Sequence, residues 1–310
     1  MNIITITPNP ALDVHLESSD FTKGEYNKAR LIRRDSGGKG VNLSRALLSN
    51  SVESDCFMML GRDGAEEFIL PLYNIGMRAS YIEVEGRVRE NLNIHHGATE
   101  TVVATAGPAV SASAVEELCS RLDPLVGPGS LVALCGSLSD GSDKEAILAL
   151  MYHLKRKGAR LVIDSKSLSA EEIISLKPYL IKPNEEEAEL LTGMRPTNTE
   201  EAAKIAVAIR DSGCECVMLT MGGKGAALAA PSGEYTAIAP EVEVLSTVGA
   251  GDSSLAGFIA AISEGKDHPE ALRRAVSYGS AACMSEGSLP PAPENVAALL
   301  PLVEVKRLND

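Results

Sequence analysis

An α/β fold with a mainly parallel central sheet is what this sequence predicts, and two observations carry the prediction. Short, nearly continuous apolar runs at 131–135, 160–164 and 216–220 alternate with segments of helical period at 112–122, 142–157 and 199–212. Strands buried on both faces lose the polar-apolar alternation of a half-exposed sheet, and helices crossing between them make neighbouring strands parallel. The second observation is that four glycine-, proline- or cation-bearing stretches stand where strands should deliver their carboxyl ends. Ligands of such sheets bind at that edge.

Taken in order, residues 2–7 read as a first strand, stopped by Pro8-Asn9-Pro10. Residues 12–16 and 28–34 read as more exposed strands, and the alternation there and across 91–96 and 101–104 predicts a small sheet outside the main core. From Gly40 the texture becomes regular: helix 41–49, strand 55–60, helix 64–75, then, after the second exposed hairpin, helix 112–122, strand 131–135, helix 142–157, strand 160–164, strand 179–181, helix 185–192, helix 199–212 and strand 216–220. The alternation runs to about residue 229, and the C-terminal third is expected to close with helices. No repeat or long linker interrupts the chain, which predicts one domain over 1–310, carrying a β lid built by about 12–35 and 86–105.

The formal net charge of −13, from 29 Lys and Arg against 42 Asp and Glu, argues against a nucleic-acid surface and demands local basic spots for any anionic substrate. Six scattered cysteines lack zinc spacing, the Cys214-x-Cys216 pair included, and are expected to be reduced. The chain enters its first strand without a basic leader, and no apolar run approaches membrane-spanning length, so a cytoplasmic protein with no membrane partner is expected.

The chemistry concentrates at Ser246-Thr247-Val248-Gly249-Ala250-Gly251-Asp252-Ser253, a small-residue turn running into a helical pattern. Small residues let the backbone approach a ligand, and the first N–H groups of a helix lack intrahelical partners, which makes 249–251 an anion site. A carboxylate there repels phosphate unless Asp252 accepts a proton from a nucleophile lying beside that phosphate. Capping of the helix by Asp252 is the plainer reading. Ser36-Gly37-Gly38-Lys39-Gly40-Val41-Asn42 is a glycine loop entering a helix, and its cation suits phosphate or sugar hydroxyls. In Lys182-Pro183-Asn184-Glu185-Glu186-Glu187, Asn184 and Glu187 have capping-box spacing, and a carboxylate beside an amide on one helix face also suits water around Mg²⁺. Cys135-Gly136-Ser137-Leu138 is a strand exit open to close approach. Arg87-Val88-Arg89-Glu90-Asn91 brings two guanidinium groups, suited to clamping phosphate, onto the lid. Asp13 could accept hydrogen bonds from sugar hydroxyls. His95 and His96, as strand neighbours, point to opposite faces, cannot easily share one ion and are assigned no role.

Taken together, Asn9-Pro10-Ala11-Leu12-Asp13, Gly37-Gly38-Lys39-Gly40-Val41-Asn42, Lys182-Pro183-Asn184-x-x-Glu187 and Thr247-Val248-Gly249-Ala250-Gly251-Asp252 resemble the PfkB family of ribokinase-like sugar kinases over essentially the whole chain. The resemblance implies a three-layer α/β/α sandwich with a β lid. It implies transfer of the γ-phosphoryl group of ATP to a ketohexose phosphate, fructose 1-phosphate giving fructose 1,6-bisphosphate. Tagatose 6-phosphate and fructose 6-phosphate are the alternative substrates, and a non-catalytic sugar-phosphate sensor is the alternative class. By the same resemblance Asp252 is the base, with Gly249, Ala250 and Gly251 as anion hole. Asp13 and Asn42 hold sugar hydroxyls, Lys39 and Arg89 meet the substrate's own phosphate, and Gly37, Gly38 and Asn91 complete the substrate side. Lys182, Asn184, Glu187, Thr220, Gly222 and Gly225 face ATP and Mg²⁺, with Ser277 and Ser280 against adenine. A homodimer through the lid is implied.

Overall fold

Side-chain alternation along the first strand recruits two helix layers at once. The computed structural model describes residues 1–97 and 99–308. In chain order the elements begin β1 (Ile3–Thr7), β2 (Ala11–Glu17), β3 (Arg30–Gly37), α1 (Lys39–Ser49), β4 (Asp55–Asp63), α2 (Ala65–Asn74), β5 (Arg78–Arg87), β6 (Arg89–His96) and β7 (Thr99–Ala104). They continue with α3 (Ala112–Leu122), β8 (Leu131–Cys135), α4 (Lys144–Arg156), β9 (Arg160–Asp164), α5 (Ala170–Leu176), β10 (Leu180–Ile181), α6 (Glu185–Thr192), α7 (Thr199–Asp211) and β11 (Cys216–Thr220). The chain closes with β12 (Ala226–Ala230), β13 (Gly233–Ala237), α8 (Ala250–Ser263), α9 (His268–Cys283), α10 (Pro293–Leu299) and β14 (Val305–Arg307).

Ile4 and Ile6 of β1 pack with apolar residues of α3, α4 and α7 on one face of the central sheet. Ile3 packs with those of α1, α8, α9 and α10 on the other. The result is the three-layer α/β/α arrangement. Strand order in the ten-stranded sheet is β14-β13-β12-β11-β10-β9-β8-β1-β4-β5. It is parallel from β11 to β5 and antiparallel from β11 to β14. A separate four-stranded sheet, β3-β2-β6-β7, packs through Leu12 and Val14 onto α2 and β4. The most enclosed helix is α8: every residue from Asp252 to Ile262 is buried, as expected of a helix that is apolar nearly all round.

Several boundaries differ from those expected. β5 was not anticipated because its sequence alternates charged with apolar residues, the pattern of an edge strand. Arg87 therefore ends the central sheet rather than lying on the small one, and it is exposed beside Glu90 at 3.6 Å. The C-terminal third is not all helical, since β13 and β14 extend the sheet edge. β12, Ala-Ala-Leu-Ala-Ala, gives no hydrophobic period to read, and β13 and β14 are short and carry polar or charged residues. All six cysteines are free. Among the described residues no helix is long and apolar enough to cross a membrane.

Candidate active site

A cleft of about 520 Å³ opens at the carboxyl ends of the central strands, walled by the starts of α1, α6 and α8. Gly249 adopts the left-handed conformation (φ 75°) and takes the N-cap position of α8 without a side-chain cap. A residue with a Cβ would be strained there. The cap reading of Asp252 is thereby corrected: its carboxylate stands in the first turn and accepts a hydrogen bond from Asn42 Nδ2 at 2.9 Å across to α1. Gly249, Ala250, Gly251 and Asp252 all line the cleft.

Four charged groups meet at its floor. Lys39 Nζ donates to Asp164 Oδ1 at 2.6 Å, and Lys182 Nζ lies 3.4 Å from Asp164 Oδ2. Burial would push the Asp164 carboxyl up, but the two ammonium groups outweigh it and hold it below the usual carboxylate range. The Lys39 ammonium is desolvated too, yet Asp164 raises its pKa above the ordinary value. Asp252 goes the other way. Burial, reinforced by the nearby Asp164 charge, pushes it up to about 6, against the opposing pull of Asn42, Lys182 and Lys39. Two buried carboxylates with proton affinities driven apart are a signature of acid-base work.

Lys39, expected at the phosphate already on the substrate, is the first residue of α1 and lines the cleft together with Lys182. Asn184 and Glu187 close a reciprocal capping box: Glu187 N donates to Asn184 Oδ1 at 2.8 Å, and Asn184 N to Glu187 Oε2 at 3.1 Å. The other oxygen, Glu187 Oε1, lies 3.7 Å from Lys166 and 3.9 Å from Lys39. Thr220, Gly222, Gly225 and Ser280 also line the cleft. Ser277 does not: it is fully buried and donates to Arg273 O at 2.9 Å. The cleft-facing stripe of α9 is Val276, Gly279, Ser280 and Cys283, a helical face from which Ser277 is rotated away.

A second group lies on the small sheet. Asp13 and Asn91 are cross-strand partners, and Asn91 Nδ2 donates to Asp13 Oδ1 at 2.8 Å. Burial raises the Asp13 pKa against that hydrogen bond. A Cβ on Gly37 would overlap Asp13 Oδ2, so only glycine leaves this carboxylate in place, and Gly38 (φ 122°) needs glycine for its backbone. Arg89, half-buried, donates from Nε to Pro10 O at 3.4 Å, and burial lowers its pKa. Asn42 Oδ1 is buried without a hydrogen bond in the described structure and stands beside Asp252.

Asp164 is the residue that sequence reasoning missed. It was treated as the end of a strand; the available signal was a lone carboxylate closing the apolar run Leu161-Val162-Ile163 at the ligand-facing edge. Lys166, two residues on, also lines the cleft.

A glycine-capped helix start, a buried carboxylate and two ammonium groups in one cleft are the parts that phosphoryl transfer calls for. Residues 10–295 match the pfkB family of carbohydrate kinases, and the chain belongs to that family. It is 32% identical over 306 residues to the 1-phosphofructokinase of Bacillus subtilis, covering 99% of this chain and 100% of that one. With the 1-phosphofructokinase of Rhodobacter capsulatus it shares 30% identity, covering 99% and 98%. The fold matches that of Escherichia coli phosphofructokinase-2 in complex with substrates and products with a TM-score of 0.90 at 23% identity, over 97% of this chain and 99% of that one.

Proposed function

We propose that this kinase transfers the γ-phosphoryl group of ATP to fructose 1-phosphate, giving fructose 1,6-bisphosphate, with Asp252 as general base. The observation that carries the reading is Asp252 itself: buried at the start of α8, raised to about 6, and flanked by two cations that match a transferring phosphate. The acceptor hydroxyl oxygen attacks the γ-phosphorus, the bond to the ADP bridging oxygen breaks, and Asp252 takes the hydroxyl proton. Lys182 and Lys39 flank the phosphoryl group as its charge redistributes, and the N–H groups at 249–251 form the anion hole. The acceptor sugar lies toward Asp13, Asn42 and Asn91, with Gly37 and Gly38 allowing close approach and the remaining guanidinium nitrogens of Arg89 meeting its phosphate.

ATP lies along Lys182, Thr220, Gly222 and Gly225, with adenine against Ser280. Mg²⁺ fits the oxygen donors there, because Glu187 Oε1 faces the cleft with its ammonium neighbours beyond hydrogen-bond distance. Glu187 and Asn184 would hold the ion through water, and it would neutralise phosphate charge. The small sheet serves as a lid on a single 1–310 domain. Its edge strands leave Leu31, Ile32, Val102 and Val103 in solvent, which supports a homodimer through the lid. Six free cysteines fit a cytoplasmic protein.

The test is ADP release with fructose 1-phosphate, fructose 6-phosphate and tagatose 6-phosphate. The expected result is the highest kcat/KM on fructose 1-phosphate, with Asp252→Asn folded, still binding ATP, and slowed about 10²–10⁴-fold. Preference for another sugar phosphate overturns the substrate, near-normal turnover in the variant overturns the base, and binding without turnover on any sugar phosphate makes the protein a sensor.

A further inference from the structure

The small sheet carries a second cluster that the kinase chemistry does not use. In the parallel pair β2·β6, His15 lies opposite Asn93, so His95, two residues on, shares its face; in β6·β7, His95 lies directly opposite Glu100. One potential ligand atom from each of His15, His95 and Glu100 lies within 4.8 Å of the others. His15 Nδ1 is 3.1 Å from His95 Nε2, the rings stack with centroids 5.4 Å apart, and His95 Nε2 is 3.8 Å from Glu100 Oε1. Two nitrogens bound at 2.0–2.1 Å in a tetrahedral shell stand roughly 3.4 Å apart, so the imidazole pair needs only a small adjustment.

The surroundings of His15 also suit a ligand. Its other ring nitrogen, Nε2, lies 3.4 Å from Asp35 Oδ2, and Arg33 Nε is 2.8 Å from that same oxygen. His15 Nε2 and Asp35 Oδ2 make no hydrogen bond in the described structure, and it is the carboxylate charge behind the ring that favours the proton on the far nitrogen and leaves Nδ1 its lone pair. We propose that His15 Nδ1, His95 Nε2 and the Glu100 carboxylate form a site for a transition-metal dication of the zinc class, with Asp35 positioning His15. The donor set, two imidazoles and one carboxylate, matches that class. His15, His95 and Glu100 line a cavity of about 580 Å³, whose other wall is the 244–248 segment leading to Gly249.

The cluster of Cys119, Asp123 and His153 makes the contrast. There Asp123 Oδ1 already accepts from His153 Nε2 at 2.7 Å and from the Lys157 ammonium at 2.9 Å, so a cation is built into the protein.

The test uses the full chain, stripped with chelator and held in excess Mg²⁺, titrated with Zn²⁺ by calorimetry and with Co²⁺ by visible absorption. The proposal expects one saturable equivalent and cobalt bands free of thiolate charge transfer. His95→Gln and Glu100→Gln, both on partly exposed side chains, should each weaken binding at least about tenfold, and Asp35→Asn about 10–100-fold. His153→Gln should leave it unchanged. No saturable equivalent, undiminished binding in the first two variants, or a thiolate band that is lost in His153→Gln would each overturn it.

Discussion

Two ion pairs in this molecule have the same separation and opposite surroundings. Lys39 and Asp164 in the cleft are 2.6 Å apart, as are Arg30 and Glu17 on the small sheet. The Asp164 side chain is 2% exposed, whereas Arg30 and Glu17 are 72% and 55% exposed. Separation alone therefore says little about strength. In water the Coulomb term at such distances is on the order of 1 kcal/mol and is offset by the entropy of fixing two long side chains. In the cleft Asp164 and Lys182 are shut off from water and Lys39 is 31% exposed, so the buried carboxylate is held in its ionised state by the two ammonium groups. That difference teaches why the central cleft holds charges in fixed states while the small sheet makes adjustable polar contacts.

Breaking the buried side should have the largest effect. Asp164→Ala strands two ammonium groups and is expected to cost about 3–5 kcal/mol in urea denaturation. Asp252 comes next and in the opposite direction. The native state holds its proton up to about pH 6, while the unfolded chain releases it near 3.8, so this carboxyl stabilises the fold at low pH and loses that contribution as pH rises through that window. Asp252→Asn should therefore stabilise the protein at neutral pH, by about 3 kcal/mol at most, while it slows turnover. The same affinity predicts that wild-type kcat/KM falls tenfold per pH unit below about 6, as the base is protonated. On the small sheet Asn91→Ala removes one hydrogen bond from Asp13, and a rise of roughly fivefold in KM for the sugar phosphate is expected, with kcat little changed. The smallest effect belongs to Arg30→Ala, under about 1 kcal/mol in thermal unfolding. A large loss there would undo the contrast between the two pairs.

The sequence made the architecture readable because buried parallel strands and crossing helices have different periods, and because the stretches at 135–138 and 182–187 follow strand ends. It brought Lys182, Asn184, Glu187 and Asp252 to attention through local chemistry. What it could not show was Asp164, whose importance comes from Lys39 and Lys182 converging on it from positions 125 residues away in one case. Partners of that kind are set by topology, and the local pattern offered only a carboxylate closing an apolar run. Ser277 was misplaced for the converse reason, since a helix rich in small residues does not announce which stripe faces the cleft. β12 was unreadable because its alanines fit either period.

Helix α8 is enclosed from Asp252 to Ile262 by both neighbouring helices and the sheet. Its amides should exchange with solvent only through global opening, whereas the exposed strand β7 should exchange through local fluctuations. The carboxylate at its start is thus fastened to the slowest-moving part of the chain. On the proposed reading, loss of function under mild denaturant would begin at the small sheet, with Asp252 still in place.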